Sequence, residues 1–183
     1  MATRQTLLVV TGPESSGKST LAKTLAERLG VPLVPEVARA YLDAKTTPDY
    51  GPEDLQAIAR EQRQVELLAL GGSGKRGAPP LVVADTDQRV IDLWWREKYP
   101  TREAAFAQIP AAPERYYLLC YPDLPWQADP QRENPHDRLR LFQAQHQALV
   151  ADQQDFRVIW GSGPIRAARA LHCVAMLPAQ LDE

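Results

Sequence analysis

Residues 12–19 read Gly12-Pro13-Glu14-Ser15-Ser16-Gly17-Lys18-Ser19, the spacing G-x-x-x-x-G-K-S, and they constrain the fold more than any other stretch of the chain. An apolar run, Leu7-Leu8-Val9-Val10, precedes them, and from Thr20 onward Leu21, Leu25 and Leu29 recur at helical spacing. A buried strand that feeds a glycine-containing loop and then a helix is the context in which this spacing captures phosphate. Consecutive backbone N–H groups surround the phosphate oxygens, and the start of the helix adds a partial positive charge. Lys18 is placed to reach the β- and γ-phosphates, and Ser19 to offer its hydroxyl to Mg²⁺. Gly12 through Thr20 are therefore expected to bind a nucleoside triphosphate.

Composition narrows the rest. The 183 residues are 44% hydrophobic and 24% charged, which fits one globular domain over residues 1–183. Twenty-one basic against 23 acidic residues leave a net charge of -2, so no overall electrostatic pull toward nucleic acid or an anionic membrane is expected. No run approaches the roughly 18 apolar residues of a membrane span, and no leader pattern opens the chain. The expectation is a cytoplasmic protein. Cys120 and Cys173 form no C-x-x-C pair and are expected as free thiols; His136, His146 and His172 lack zinc-site spacing. The metal expected is Mg²⁺ brought in with the nucleotide.

Hydrophobic patterning predicts strands at 6–10, 31–35, 81–84, 116–120 and 156–160. Helices are predicted at 18–29, 36–42, 52–68, 87–99, 101–109, 139–152 and 165–176, with a glycine-rich connector at 71–77. Strands separated by helices imply an α/β fold, a parallel sheet with helices on both faces. Ligands gather at the carboxyl ends of such strands.

Those ends carry the candidate chemistry. Asp85 closes the third strand, where a carboxylate holds Mg²⁺ or accepts from the Ser19 hydroxyl; Asp87 is placed to cap the following helix. Glu36 follows the second strand, positioned to orient and deprotonate an acceptor hydroxyl, with Arg39 one helical turn on. Arg132, Arg138 and Arg140 lie in a polar segment at about 126–138 and just beyond, where a closing lid carries arginines onto a transferring phosphoryl group. Trp94 and Trp126 are candidates to stack on a flat ring, whereas Trp95 and Trp160 read as packing residues.

Several blocks together resemble one family. Gly-Pro-Glu-Ser-Ser-Gly-Lys-Ser at 12–19, Val34-Pro35-Glu36 with Ala38-Arg39 and Tyr41-Leu42, Ile58-Ala59 with Gln62, Asp85-Thr86-Asp87 with Val90 and Trp94, Lys98-Tyr99, and Asp123-Leu124-Pro125-Trp126 with Asp129-Pro130 and Arg132 are similar to the ribosylnicotinamide (nicotinamide riboside) kinase domain of bifunctional NAD-biosynthesis regulators. The resemblance implies a P-loop, three-layer α/β/α fold with a five-stranded parallel sheet in order 2-3-1-4-5 and a lid. It implies Mg²⁺ and ATP as cofactors, and transfer of the γ-phosphoryl group to the 5′-hydroxyl of nicotinamide riboside. It also implies roles. Lys18, Glu36, Asp85 and Arg132 would serve catalysis, and Ser19 with Asp85 the metal. Gly161 and Ser162 would serve the adenine, and Glu36, Arg39, Gln62, Asp87, Trp94, Trp126 and Asp129 the nucleoside. Relatives often carry Tyr after the Glu and an acidic residue after the Arg, where this chain has Val37 and Ala40. One ring contact to nicotinamide is then either absent or supplied by Trp94 or Trp126. The family's adenylyltransferase and DNA-binding domains are not expected in these 183 residues. Two rivals follow from the same residues: a kinase of another nucleoside or a nucleotide, and a P-loop ATPase acting on a protein partner.

Overall fold

The computed structural model describes residues 5–46, 49–72, 81–99, 114–132 and 134–177. Its centre is β1 (Thr6–Thr11), whose six residues are all buried, as an inner strand of a parallel sheet covered on both faces must be. β1 lies between β3 (Leu81–Asp85) and β4 (Glu114–Cys120); β2 (Leu33–Val34) and β5 (Asp155–Ile159) form the edges, giving the order β2-β3-β1-β4-β5. All pairings are parallel. This is the three-layer arrangement expected from the sequence.

Helices α1 (Lys18–Leu29) and α6 (Gly163–Ala175) cover one face, closing Leu21, Leu25, Ala170 and Val174 over Leu8, Val10, Val83 and Leu118. On the other face α3 (Pro52–Gly72) and α5 (Arg138–Ala151) bury Leu70, Phe142 and Leu149 against Leu7, Val9, Val82 and Leu119. A third cluster joins α2 (Val37–Asp43), α3 and α4 (Gln88–Lys98) through Ala38, Leu55, Ile58, Ile91 and Trp95. No helix among the described residues is long and apolar enough to cross a membrane.

The differences from the sequence reading have physical causes. β2 keeps only two residues because Pro32 and Pro35 have no N–H to donate and Leu33 lies on the open edge. α3 runs on through Gly71 and Gly72; the rest of the expected connector, and the helix expected at 101–109, lie outside the described residues. β4 begins two residues early, at Glu114, and so takes Arg115 into the sheet. Arg115 is tolerated there because it is paired. Its guanidinium donates to Glu66 Oε2 at 2.8 Å and to Asp87 Oδ2 at 2.5 Å, and the Tyr117 hydroxyl donates to the same Asp87 oxygen at 2.9 Å. This buried cluster fastens α3 and α4 to the sheet. Trp95 is core, as expected, but Trp160 is 52% exposed beneath the Arg169 guanidinium, 3.2 Å from the ring centre.

Candidate active site

Register brings the strand-end residues together. Val10 pairs with Asp85, and Val34 with Ala84, so Asp85 emerges beside the strand that feeds the loop and Glu36 follows the edge strand on the other side of β3. Thr86 turns the chain away in a left-handed conformation (φ 67°), with its N–H donating to Val10 O at 2.9 Å. A non-glycine residue held there marks a turn fixed by its surroundings.

The loop itself has the curled backbone of an anion cradle. Gly12 (φ 143°), Ser15 (φ 52°) and Gly17 (φ 77°) adopt positive φ, and Gly17 caps α1. A Cβ on Gly12 would lie 2.7 Å from the Cys120 carbonyl oxygen, which explains the glycine. Ser16 Oγ donates to Pro13 O at 2.7 Å, and Lys18 Nζ spans the loop to the same carbonyl at 3.0 Å.

Asp85 is buried, and its carboxylate accepts from the Ser19 hydroxyl. Burial raises its pKa, against the pull of Ser19, Lys18 and Arg39. Its Oδ1 is buried and has no hydrogen-bond partner. An orphaned carboxylate oxygen beside a serine hydroxyl is an all-oxygen donor set, so these residues fit Mg²⁺. Glu36 is half-buried, and burial likewise raises its pKa; Lys18 opposes the rise, Asp85 adds to it, and Arg39 and Arg132 oppose it.

Lys18, Ser19 and Glu36 line one cavity of about 1030 Å³, and Asp85 is connected to it through the Ser19 hydroxyl. The loop from Gly12 to Thr20 lines one half; Glu36, Arg39, Asp43, Tyr50, Trp94 and Glu97 line the other. The segment expected as a lid hydrogen-bonds to both sides of it. On the loop side Asn134 N–H donates to Glu14 Oε2 at 3.0 Å, Gln127 N–H to Ser15 Oγ at 3.1 Å, and Arg132 Nη1 to Ser15 Oγ at 3.0 Å. On the α2 side Arg39 pairs with Asp129 at 3.0 Å and Gln131 Nε2 donates to Asp43 at 2.5 Å.

Other expected residues take different positions. Asp87 caps α4 by accepting from Arg89 N–H at 3.0 Å and is otherwise committed to Arg115 and Tyr117, so it does not line the cavity. Gln62 is fully buried and accepts from Val37 N–H at 3.0 Å, which pins the turn carrying Glu36. Trp94 lines the cavity; Trp126 does not, and has the Arg138 guanidinium 5.9 Å from its ring centre. Arg138 donates to Leu124 O at 2.8 Å, and Arg140 pairs with Glu97 at 2.7 Å. Gly161 and Ser162 lie just outside the cavity wall, at the β5 exit. Sequence reasoning passed over Arg166, which is 4% exposed and donates to Asp123, Gly161 O, Ser16 O and Tyr121 O. Its signal was present: a charge on the apolar stripe of α6, next to Ala167 and in phase with Ala170.

The fold and the phosphate loop together define a P-loop protein. A family model described as an AAA domain matches residues 7–166, and the chain belongs to that family. A sequence comparison with curated proteins gives no significant match. Among solved structures, NadR protein in complex with NAD and AMP-PNP superposes with a TM-score of 0.70 at 17% identity, covering 93% of this chain and 48% of that one. NadR protein in complex with NR gives 0.66 at 16% identity, covering 93% and 50%. Deoxyadenosine kinase from M. mycoides with products dCMP and a flexible dCDP bound gives 0.60 at 9% identity, covering 92% and 98%. The chain thus spans about half the length of the two NadR chains, and at these identities the likeness is one of fold.

Proposed function

We propose that the protein is an ATP-dependent kinase that phosphorylates the 5′-hydroxyl of a small nucleoside, with nicotinamide riboside as acceptor and nicotinamide mononucleotide as product, a step of NAD salvage. The observation that carries this reading is that Lys18 and Glu36 line one cavity, with Asp85 bonded to the Ser19 hydroxyl on its wall, and that this cavity continues past the phosphate loop into a second half walled by residues of α2 and α4. An enzyme that only hydrolyses ATP has no use for that half. In the proposed reaction Glu36 accepts the proton of the 5′-hydroxyl, the oxygen bonds to the γ-phosphorus, and the bond from that phosphorus to the β–γ bridging oxygen breaks to release ADP. Lys18 spreads over the phosphoryl charge; Ser19 and Asp85 would hold Mg²⁺, which supplies further charge neutralisation when bound.

The acceptor half favours a nucleoside over a nucleotide. Its lining cations are already engaged: Arg39 with Asp129 at 3.0 Å, Lys45 with Asp54 at 2.6 Å, Arg140 with Glu97 at 2.7 Å, Lys98 over the Tyr50 ring at 3.7 Å, and Arg132, near Glu36, with the neutral oxygens of Ser15 Oγ at 3.0 Å and Gln127 O at 2.5 Å. A second phosphate would have to displace one of these pairings. Trp94 gives that half an aromatic face and Asp43 a carboxylate without a cationic partner in the ion pairs of the described residues, an environment that suits a pyridinium ring carrying positive charge. The resemblance to ribosylnicotinamide kinases and the fold likeness to NadR and deoxyadenosine kinase support the same assignment. Side-by-side phosphorylation assays with nicotinamide riboside, pyrimidine nucleosides and purine nucleosides test it. The highest kcat/KM is expected for nicotinamide riboside, and equal turnover of neutral nucleosides would remove the pyridinium argument.

A further inference from the structure

We infer that Arg166 is a positioning residue for the triphosphate: it locks the phosphate loop to the chain segments leaving β4 and β5 and turns a loop peptide toward the anion. The inference rests on the reading that this loop takes ATP. Arg166 is buried on α6, and its two terminal nitrogens reach four acceptors from three separate segments. Nη2 donates to Ser16 O at 2.7 Å, in the loop, and to Tyr121 O at 3.0 Å, past β4. Nη1 donates to Asp123 Oδ1 at 2.7 Å and to Gly161 O at 2.6 Å, past β5. Asp123 Oδ2 accepts from Gly161 N–H at 2.6 Å, so guanidinium, carboxylate and turn close a ring. Burial acts to raise the Asp123 pKa, but the Gly161 N–H and Arg166 more than offset it and hold the carboxyl below its ordinary value.

The consequence for phosphate follows from peptide geometry. In a trans peptide the C=O and the following N–H point in opposite directions. Arg166 holds Ser16 O, so the Gly17 N–H of the same peptide is turned to the side away from the guanidinium and is kept free for an anion. Gly17 has no freedom to take a side chain in response: a Cβ there would lie 2.7 Å from Leu124 Cδ1 and 4.0 Å from Arg166 Nε. The planar fork, with donors in fixed directions, is what serves four acceptors at once; a lysine carries the charge but has a single nitrogen.

The test compares Arg166→Lys and Asp123→Asn with the wild-type chain, using AMP-PNP as the probe. Calorimetric titration gives Kd for the folded protein, and nucleoside phosphorylation gives kcat and both KM values. Arg166→Lys is expected to raise Kd for AMP-PNP and KM for ATP at least tenfold, with the acceptor KM within threefold of wild type. Asp123→Asn retains the arginine and loses only its counter-charge, so a smaller rise in the same direction is expected. Unchanged Kd in both variants overturns the inference. So does a loss of folded protein with unchanged Kd in the remainder, which would make Arg166 a packing residue. If the wild-type chain itself binds no AMP-PNP, the ATP reading fails first and the inference fails with it.

Discussion

Glu36→Gln separates the acceptor chemistry from everything else the cavity does. Glutamine keeps the size and one oxygen of the side chain and removes only its capacity to take a proton. Loss of a general base costs about 10²–10⁴ in rate, or roughly 3–5 kcal/mol of transition-state stabilisation. The fold should not register the change. Glu36 caps α2 without a side-chain hydrogen bond to the backbone, and the turn is held by Gln62 accepting from Val37 N–H. Burial already disfavours the ionised carboxylate, so a neutral amide should leave stability within about 0.5 kcal/mol of wild type or slightly above it. Steady-state kinetics with saturating Mg²⁺ and ATP, paired with a thermal melt, give both numbers. The expected result is a 10²–10⁴-fold fall in kcat with little change in the nucleoside KM and an unchanged melting temperature. A kcat within about threefold of wild type, or a change confined to KM, would refute the assignment of Glu36 as the base.

Three further variants probe the remaining parts. Lys18→Ala should abolish turnover while the protein still melts cooperatively, because Lys18 makes one loop hydrogen bond, to Pro13 O, whose loss the fold tolerates; full kcat would remove the loop lysine from the mechanism. Arg39→Met should move the acid limb of the pH–rate profile upward. Arg39 lowers the pKa values of both Glu36 and Asp85, the base works only when ionised, and loss of the cation lets burial raise those values further; a downward shift would contradict this. Arg115→Met removes the cation shared by Glu66 and Asp87, leaving Asp87 with Tyr117 and the Arg89 N–H and Glu66 with a longer contact to Arg63; breaking a buried pair in this way costs about 3–5 kcal/mol. For a chain of this length that is a fall of roughly 6–20 °C in melting temperature, read by calorimetry, and a fall under about 2 °C would show the cluster to be dispensable.

What the sequence made legible follows from how local each signal is. The phosphate loop lies within eight consecutive residues, and the buried strands announce themselves as uninterrupted apolar runs, so the loop, the layers and the placement of Glu36 and Asp85 at strand ends could all be read. Asp87 could not be assigned that way. Its partners, Arg115 and Tyr117, lie about thirty residues on, and only folding shows that they hold the carboxylate away from the cavity. Gln62 likewise reads as a polar residue on a helix; its task of holding the Val37 N–H is a contact between elements 25 residues apart. Arg166 left a fainter mark, a charge standing on an otherwise apolar helix stripe, whereas Glu66 shares its buried stripe with Gln62 and Arg63. A charge in that position has to find a partner inside the protein, and the partner's identity is written in the tertiary structure alone.

The central claim is that this cavity transfers phosphate from ATP to a nucleoside hydroxyl. Incubating the purified protein with Mg²⁺, ATP and nicotinamide riboside, and quantifying ADP and nicotinamide mononucleotide over time, tests it most directly. The account predicts the two products in equal amounts, with ADP release close to zero when the nucleoside is left out. Rapid ADP release in the absence of nucleoside, or none in its presence, would contradict it.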